Sequence, residues 1–155
     1  MPATIDAKLD ELGISLPKAP PPQGNYVPWV RTGNLVFLSG QVALIDGTLH
    51  HQGTVGADVS LEDAQDSARL CAVNLIAQLQ AACEGNLDRV VRCIKLGGFV
   101  NCGAGFNDQP KVVNGASDLM VAVFGDAGRH ARFAVGASSL PLGASVEVDA
   151  VFEIE

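Results

Sequence analysis

The apolar positions along the chain follow two periods. From Ser60 they recur every three or four residues, at Ala64, Ala68, Cys71, Leu75, Leu79 and Ala82, up to a stop at Glu84-Gly85. The run opens with Ser60-Leu61-Glu62-Asp63, a capping-box pattern with aspartate in the usual Glu or Gln place. A long helix over residues 61–84 is predicted, covering one face of a sheet. A second stripe, Val112, Val113, Ala116, Leu119, Met120 and Val123, follows Asp108-Gln109-Pro110 and ends at Gly125. There the aspartate is placed to cap and the proline is tolerated in the first turn. A third, short stripe of Ile5, Leu9 and Leu12 lies between Thr4 and Gly13 and predicts a helix over residues 3–13.

Elsewhere the period is two, or the apolar run is continuous. Tyr26 to Arg31 and Leu35 to Leu44 flank Thr32-Gly33-Asn34, a hairpin signal, and the second run is apolar enough for a central strand buried on both faces. Val90 to Val100 reads as another strand. Near the C-terminus, Ala131, Phe133 and Val135 alternate with Arg132, Ala134 and Gly136. Further on, Val146, Val148, Ala150, Phe152 and Ile154 alternate with Glu147, Asp149 and Glu153. Leu140-Pro141-Leu142-Gly143 separates the two runs, so the simplest reading is an antiparallel pair with a short connection. The order predicts a single α+β domain over residues 23–155, a mixed sheet with two long helices on one face. Residues 1–22 form an appended arm. Its Leu16-Pro17-Lys18-Ala19-Pro20-Pro21-Pro22 stretch runs extended, and a stiff connection accounts for it better than a proline-rich ligand for a partner domain.

Charge and cysteine usage narrow the function classes. Seventeen acidic against ten basic residues give net charge −7, and no Lys/Arg cluster occurs, so a nucleic-acid backbone meets repulsion. No basic segment leads into an apolar run and no stretch approaches the roughly 20 apolar residues of a membrane span, so a soluble, cytoplasmic protein without membrane contact is expected. Cys71, Cys83, Cys93 and Cys102 form no Cys-x-x-Cys pair and read as reduced structural thiols. His50 and His51 diverge in a polar loop without carboxylate or cysteine at ligand spacing. There is no phosphate-binding glycine loop, Ser-His-Asp arrangement or zinc spacing, so neither metal nor cofactor is expected.

Five positions carry candidate chemistry. Arg132 is the only long side chain on its strand face, its fork open to a carboxylate in a geometry lysine cannot copy. The local pattern equally admits a cross-strand salt bridge from Arg132 to Glu147, and favours it. Gly40 sits inside a strand between Ser39 and Gln41, which marks a bulge or a close approach. Asn114, beside the apolar stripe of the second long helix and next to Gly115, either satisfies a backbone group or faces a site. His130 is a proton carrier or, on the blander and favoured account, a strand-end residue in a polar turn.

From Gly24 to Glu155 these residues resemble the RidA family, also called YjgF/YER057c/UK114, trimeric enamine and imine deaminases. The resemblance is carried by Val36-Phe37-Leu38-Ser39-Gly40-Gln41, by Asn74-Leu75 in the helix opened by Ser60, by Asn86-Leu87-Asp88-Arg89-Val90-Val91, and by the pattern Arg132, Leu140-Pro141, Val146-Glu147-Val148. It implies a homotrimer with pockets between subunits. In such a pocket Arg132 binds a substrate carboxylate, Glu147 stands at the reacting centre, and Tyr26, Ser39, Gly40 and Asn114 complete the substrate contacts. The implied reaction turns a small 2-imino or enamine acid into a 2-oxo acid and ammonia; the competing expectation is a non-catalytic trimeric binder that senses a 2-oxo acid or amino acid. The chain departs from the family's deaminases at Tyr26-Val27-Pro28, where they have Tyr-Ser-Gln, and at Ala134, where they have cysteine. Helices on one sheet face leave the other apolar face needing cover, as a trimer would provide.

Overall fold

The computed structural model describes residues 4–22 and 24–155. Ala3 and Gln23, where the short helix and the domain are expected to begin, lie outside the described residues. Helix α1, Ile5–Glu11, starts where the Thr4 side chain accepts from the Ala7 N–H and stops before Gly13 at φ 70°. Two antiparallel strands follow, β1 (Trp29–Thr32) and β2 (Leu35–Val42), then a short hairpin of β3 (Leu44–Ile45) and β4 (Thr48–Leu49). Helix α2, Leu61–Ala82, is capped by Ser60, whose hydroxyl accepts from the Asp63 N–H at 3.1 Å. Strand β5 spans Val90–Asn101, helix α3 Gln109–Phe124, strand β6 Ala131–Ala137 and strand β7 Val146–Ile154. Asp108 makes no side-chain cap bond to α3, contrary to expectation; it faces Lys111 Nζ at 3.4 Å.

The five long strands form one mixed sheet in the order β1-β2-β7-β5-β6, and α2 and α3 pack on one face, giving the α+β domain that the periodicity predicts. The expected antiparallel pairing of the last two strands does not occur. β5 separates them, pairing parallel with β6 and antiparallel with β7. β7 buries Val146, Val148, Ala150, Phe152 and Ile154 under the helices, so it gains most from a central place with partners on both edges. β6 carries Arg132 and a glycine and takes the sheet edge, where both are tolerated.

The expectation for β2 is also corrected: only one of its faces is covered. Val36 and Leu38 are buried, while Phe37 on the opposite face is 46 % exposed. That open face also carries Phe99, packed edge-to-face on Phe133 with ring centroids 5.3 Å apart, and Val135, 42 % exposed. All four cysteines are free and buried. Burial pushes the Cys71 and Cys93 thiols well up, so they stay protonated. Among the described residues, no helix is long and apolar enough to cross a membrane, and no group of three His, Cys, Asp or Glu is arranged to hold a metal ion.

Candidate functional site

Residues opposite one another across a ladder share a sheet face, and this rule separates the two principal candidates. Arg132 stands opposite Leu96, which stands opposite Ala150, a row facing the helices. Glu147 stands opposite Phe99, which stands opposite Val135, a row on the open face. Within one chain Arg132 and Glu147 therefore lie on opposite faces with a strand between them, and the cross-strand salt bridge is absent.

Arg132 is held by α3 instead. Its Nη1 donates to Asn114 Oδ1 at 2.9 Å and to Ser117 Oγ at 3.1 Å, and its Nη2 to the Pro110 carbonyl at 3.4 Å. Asn114 and Gly115, poor helix formers in mid-helix, now have separate reasons. Asn114 faces the arginine. At Gly115 a Cβ would run into the Gln65 backbone carbonyl, so glycine lets α2 and α3 cross closely. Asn114 thus orients the arginine, in addition to whatever it offers a ligand.

Behind Ser117 stands His130. The Gly128 carbonyl, 2.6 Å from Nδ1, can only accept, so in the neutral ring Nδ1 carries the proton. Nε2 then accepts from the Ser117 hydroxyl at 2.9 Å, and the oxygen of Ser117 accepts from Arg132. His130 and Ser117 form a relay that fixes the guanidinium.

Glu147 lies half-buried against Gly40. β2 is bulged between Leu38 and Gln41, and a Cβ on Gly40 would collide with Glu147 Oε2. Both readings of that glycine, bulge and close approach, hold together. Burial first, then the neighbouring Asp149 carboxylate, push the Glu147 carboxyl above its usual range, and within the chain Arg132 lies on the other sheet face. We expect Gly40→Ala to swing the carboxylate away and lower any Glu147-dependent rate by roughly 10-fold or more, with the fold intact by circular dichroism.

Glu147 and Gly40 line a cavity of about 220 Å³ whose other walls include Tyr26, Pro28, Leu142 and the arm's Pro20, Pro21 and Pro22. Leu142 is held in the left-handed region, φ 63°, with its carbonyl accepting from Gln52 Nε2 at 2.7 Å. Such strain in a branched residue is costly and persists where surrounding contacts enforce it. Ser39 precedes Gly40 in β2, but its hydroxyl already donates to the Val27 carbonyl at 2.7 Å and its N–H to the Pro28 carbonyl at 2.9 Å. It can therefore only accept from a ligand, and its main task is to pin the Val27-Pro28 segment that carries Tyr26.

The candidates thus fall into two half-sites. Tyr26, Gly40 and Glu147 line the cavity, with Ser39 tied to the Val27-Pro28 segment beside it in the chain, while Arg132 and Asn114 meet at the β6 edge. The sequence reading missed Ser117, Gln52 and Gln78. For Gln78 a signal existed: Ser67, Asn74 and Gln78 recur seven and four residues apart on α2, in phase with the apolar stripe, and all three are buried. Polar side chains at core spacing must each find a partner. Asn74 donates to the Val42 and Leu44 carbonyls, both at 2.9 Å, where the chain leaves β2.

Residues 6–154 match the sequence pattern of the family described as "YjgF/chorismate mutase-like, putative endoribonuclease". The chain is 47 % identical to Protein TCP17 of Trypanosoma cruzi, covering 97 % of this chain and 94 % of that one. It is 30 % identical to a 2-iminobutanoate/2-iminopropanoate deaminase of Dermatophagoides farinae, over 92 % of this chain and 95 % of that protein. The crystal structure of Atu1372 from Agrobacterium tumefaciens, a protein of unknown function, matches with TM-score 0.92 at 49 % identity, covering 97 % of this chain and 92 % of the other.

Proposed function

The chain belongs to the YjgF/chorismate mutase-like, or RidA, family, and we propose that it hydrolyses small 2-imino acids, or their enamine tautomers, to 2-oxo acids and ammonia in sites formed between the subunits of a homotrimer. The observation that carries this reading is the split between the half-sites. A guanidinium already oriented by Asn114, Ser117 and the Pro110 carbonyl lies at a sheet edge, and a carboxyl with a raised pKa lies in a cavity on the other face. Neither half suffices for the reaction. Assembly through the open sheet face and the β6 edge joins the arginine of one copy to the glutamate of the next. The exposed Phe37, Phe99 and Val135 supply the apolar area such an assembly covers. The similarity to a 2-iminobutanoate/2-iminopropanoate deaminase supports the choice of reaction.

In this mechanism Arg132 takes the substrate carboxylate through two charge-assisted hydrogen bonds and so fixes the imine carbon. Glu147 accepts a proton from the attacking water as its oxygen bonds to that carbon. It passes that proton to the nitrogen, giving the neutral carbinolamine, then takes the proton of the new hydroxyl and delivers it to the amino nitrogen as the C–N bond breaks, so that the carbonyl forms and ammonia departs. Two protons are taken and two given back. A carboxyl whose pKa is raised toward the working pH suits both steps better than an ordinary glutamate. The mechanism calls on neither a metal nor a cofactor.

The competing account is a non-catalytic trimeric binder of 2-oxo or amino acids that uses Arg132 alone. Ala134 and Val27-Pro28, which stand where the family's deaminases have cysteine and Ser-Gln, favour it. A steady-state assay with imines generated in situ from amino acids separates the two. Release of 2-oxo acid and ammonia faster than the spontaneous rate is expected; saturable 2-oxo acid binding without turnover would establish the binder.

A further inference from the structure

The arm is tied to the domain at separate points. The Ile5 N–H donates to Asp88 Oδ1 at 2.8 Å, Leu9 and Ile14 are buried in the core, and Gln78, on α2 and 2 % exposed, donates from Nε2 to the Pro20 carbonyl at 2.8 Å. The last contact is a specific one. Burying a glutamine amide is unfavourable unless it is hydrogen-bonded, and a proline run offers only carbonyls for this purpose. Gln78 thus fixes Pro20, and with it Pro21 and Pro22, at the cavity that holds Glu147.

These residues line that cavity together with Pro28, Val42, Leu44 and Leu142, and proline loses almost no side-chain entropy on being ordered. The volume of about 220 Å³ equals that of about seven liquid waters, enough for a side chain of several carbons. We propose that the Pro20–Pro22 segment, anchored by Gln78, is the side-chain-selecting wall of the site, and that the protein's substrates are 2-imino acids with apolar side chains larger than methyl. This rests on the deaminase reading for its reaction and on the cavity for its selectivity. A hydrogen-bonding or charged side chain would be left unpaired against the prolines and rejected, whereas each added methylene gains by burial.

The test measures kcat/KM on the full chain for imines generated by an amino-acid oxidase from alanine, leucine, methionine and glutamate. The leucine and methionine imines should exceed the alanine imine by roughly 10-fold and the glutamate imine by roughly 100-fold. In Gln78→Ala, and in a variant combining Pro20→Gly, Pro21→Ser and Pro22→Gly, the leucine-to-alanine ratio should fall below about threefold. The proline replacements lie at the surface and keep the test readable if Gln78→Ala compromises folding. A wild-type profile flat across these side chains, or variants that lower all rates together with the ratio unchanged, would overturn the proposal. If wild type hydrolyses no imine, it is the deaminase reading that has failed, and calorimetry with the matching 2-oxo acids reads the wall on its own. A preference for 4-methyl-2-oxopentanoate over pyruvate that the variants lose upholds the wall; equal affinities, or no binding, sink it.

Discussion

Arg132→Ala is expected to weaken binding of a 2-oxo acid such as 2-oxobutanoate by roughly 100-fold to 1,000-fold, about 3–4 kcal/mol, with imine turnover lost at accessible concentrations. The size follows from what the side chain supplies. A carboxylate in a partly dry site needs two parallel N–H donors, and the groups left around the vacated position offer no such fork: the Ser117 hydroxyl is turned to His130 Nε2 and the Pro110 carbonyl only accepts. Because the guanidinium is oriented before the ligand arrives, little ordering cost offsets the two bonds. Arg132→Lys should recover only a small part, since an ammonium cannot span the Asn114, Ser117 and Pro110 acceptors and still present a fork. Titration calorimetry on variants with unchanged circular dichroism checks this. A dissociation constant within threefold of wild type would remove Arg132 from the ligand contacts.

Glu147→Gln is expected to leave 2-oxo acid binding within about threefold and lower kcat by roughly 100-fold to 10,000-fold, the range for a group that moves a proton in the transition state. Amide and carboxylate have the same shape, so the Gly40 contact and the cavity wall survive while proton transfer does not. The pH dependence carries the same information. Burial and Asp149 raise the Glu147 pKa, so wild-type kcat should rise with pH through a value above the ordinary glutamate range, and the variant should lack that limb.

Stability moves the other way. A carboxyl whose folded pKa is raised contributes stability at low pH that is lost as pH rises through that folded pKa. Glu147→Gln should therefore melt higher than wild type above this window and show no gain below it. A variant that is less active yet more stable is what a strained functional group produces, whereas a structural carboxylate would give neither signature. Full turnover by Glu147→Gln would leave the glutamate outside the mechanism.

How much of this was legible in the chain depended on the range of the interactions involved. The helices followed from local signals, with α3 bounded by Gln109 and by the left-handed Gly125 where the apolar stripe begins and ends. The strand order did not follow, because nothing near Val146 records that Val90 to Asn101 is long enough to pair on both edges. Pairing the last two strands directly put Arg132 beside Glu147, and from that came the expectation of a salt bridge between them. Register decides on which side of the sheet a residue lies, and register here is set by β5. The family resemblance picked out Tyr26, Ser39, Asn114, Arg132 and Glu147 but gave no hint that Asn114 would be joined by Ser117 and His130 in fixing the arginine. The arm read as a spacer because its prolines carry no local sign of Gln78, 58 residues away.

The most direct test of the account is to mix Arg132→Ala and Glu147→Gln protein, dissociate and reassemble them together, and assay hydrolysis of an imine generated in situ. Each variant alone should be inert. If every site takes its arginine from one subunit and its glutamate from the next, random equal mixing restores both residues to about one quarter of the sites, and the mixture should recover about a quarter of the wild-type rate. A mixture as inert as its components, formed under conditions in which wild type reassembles to full activity, would contradict a site shared between subunits.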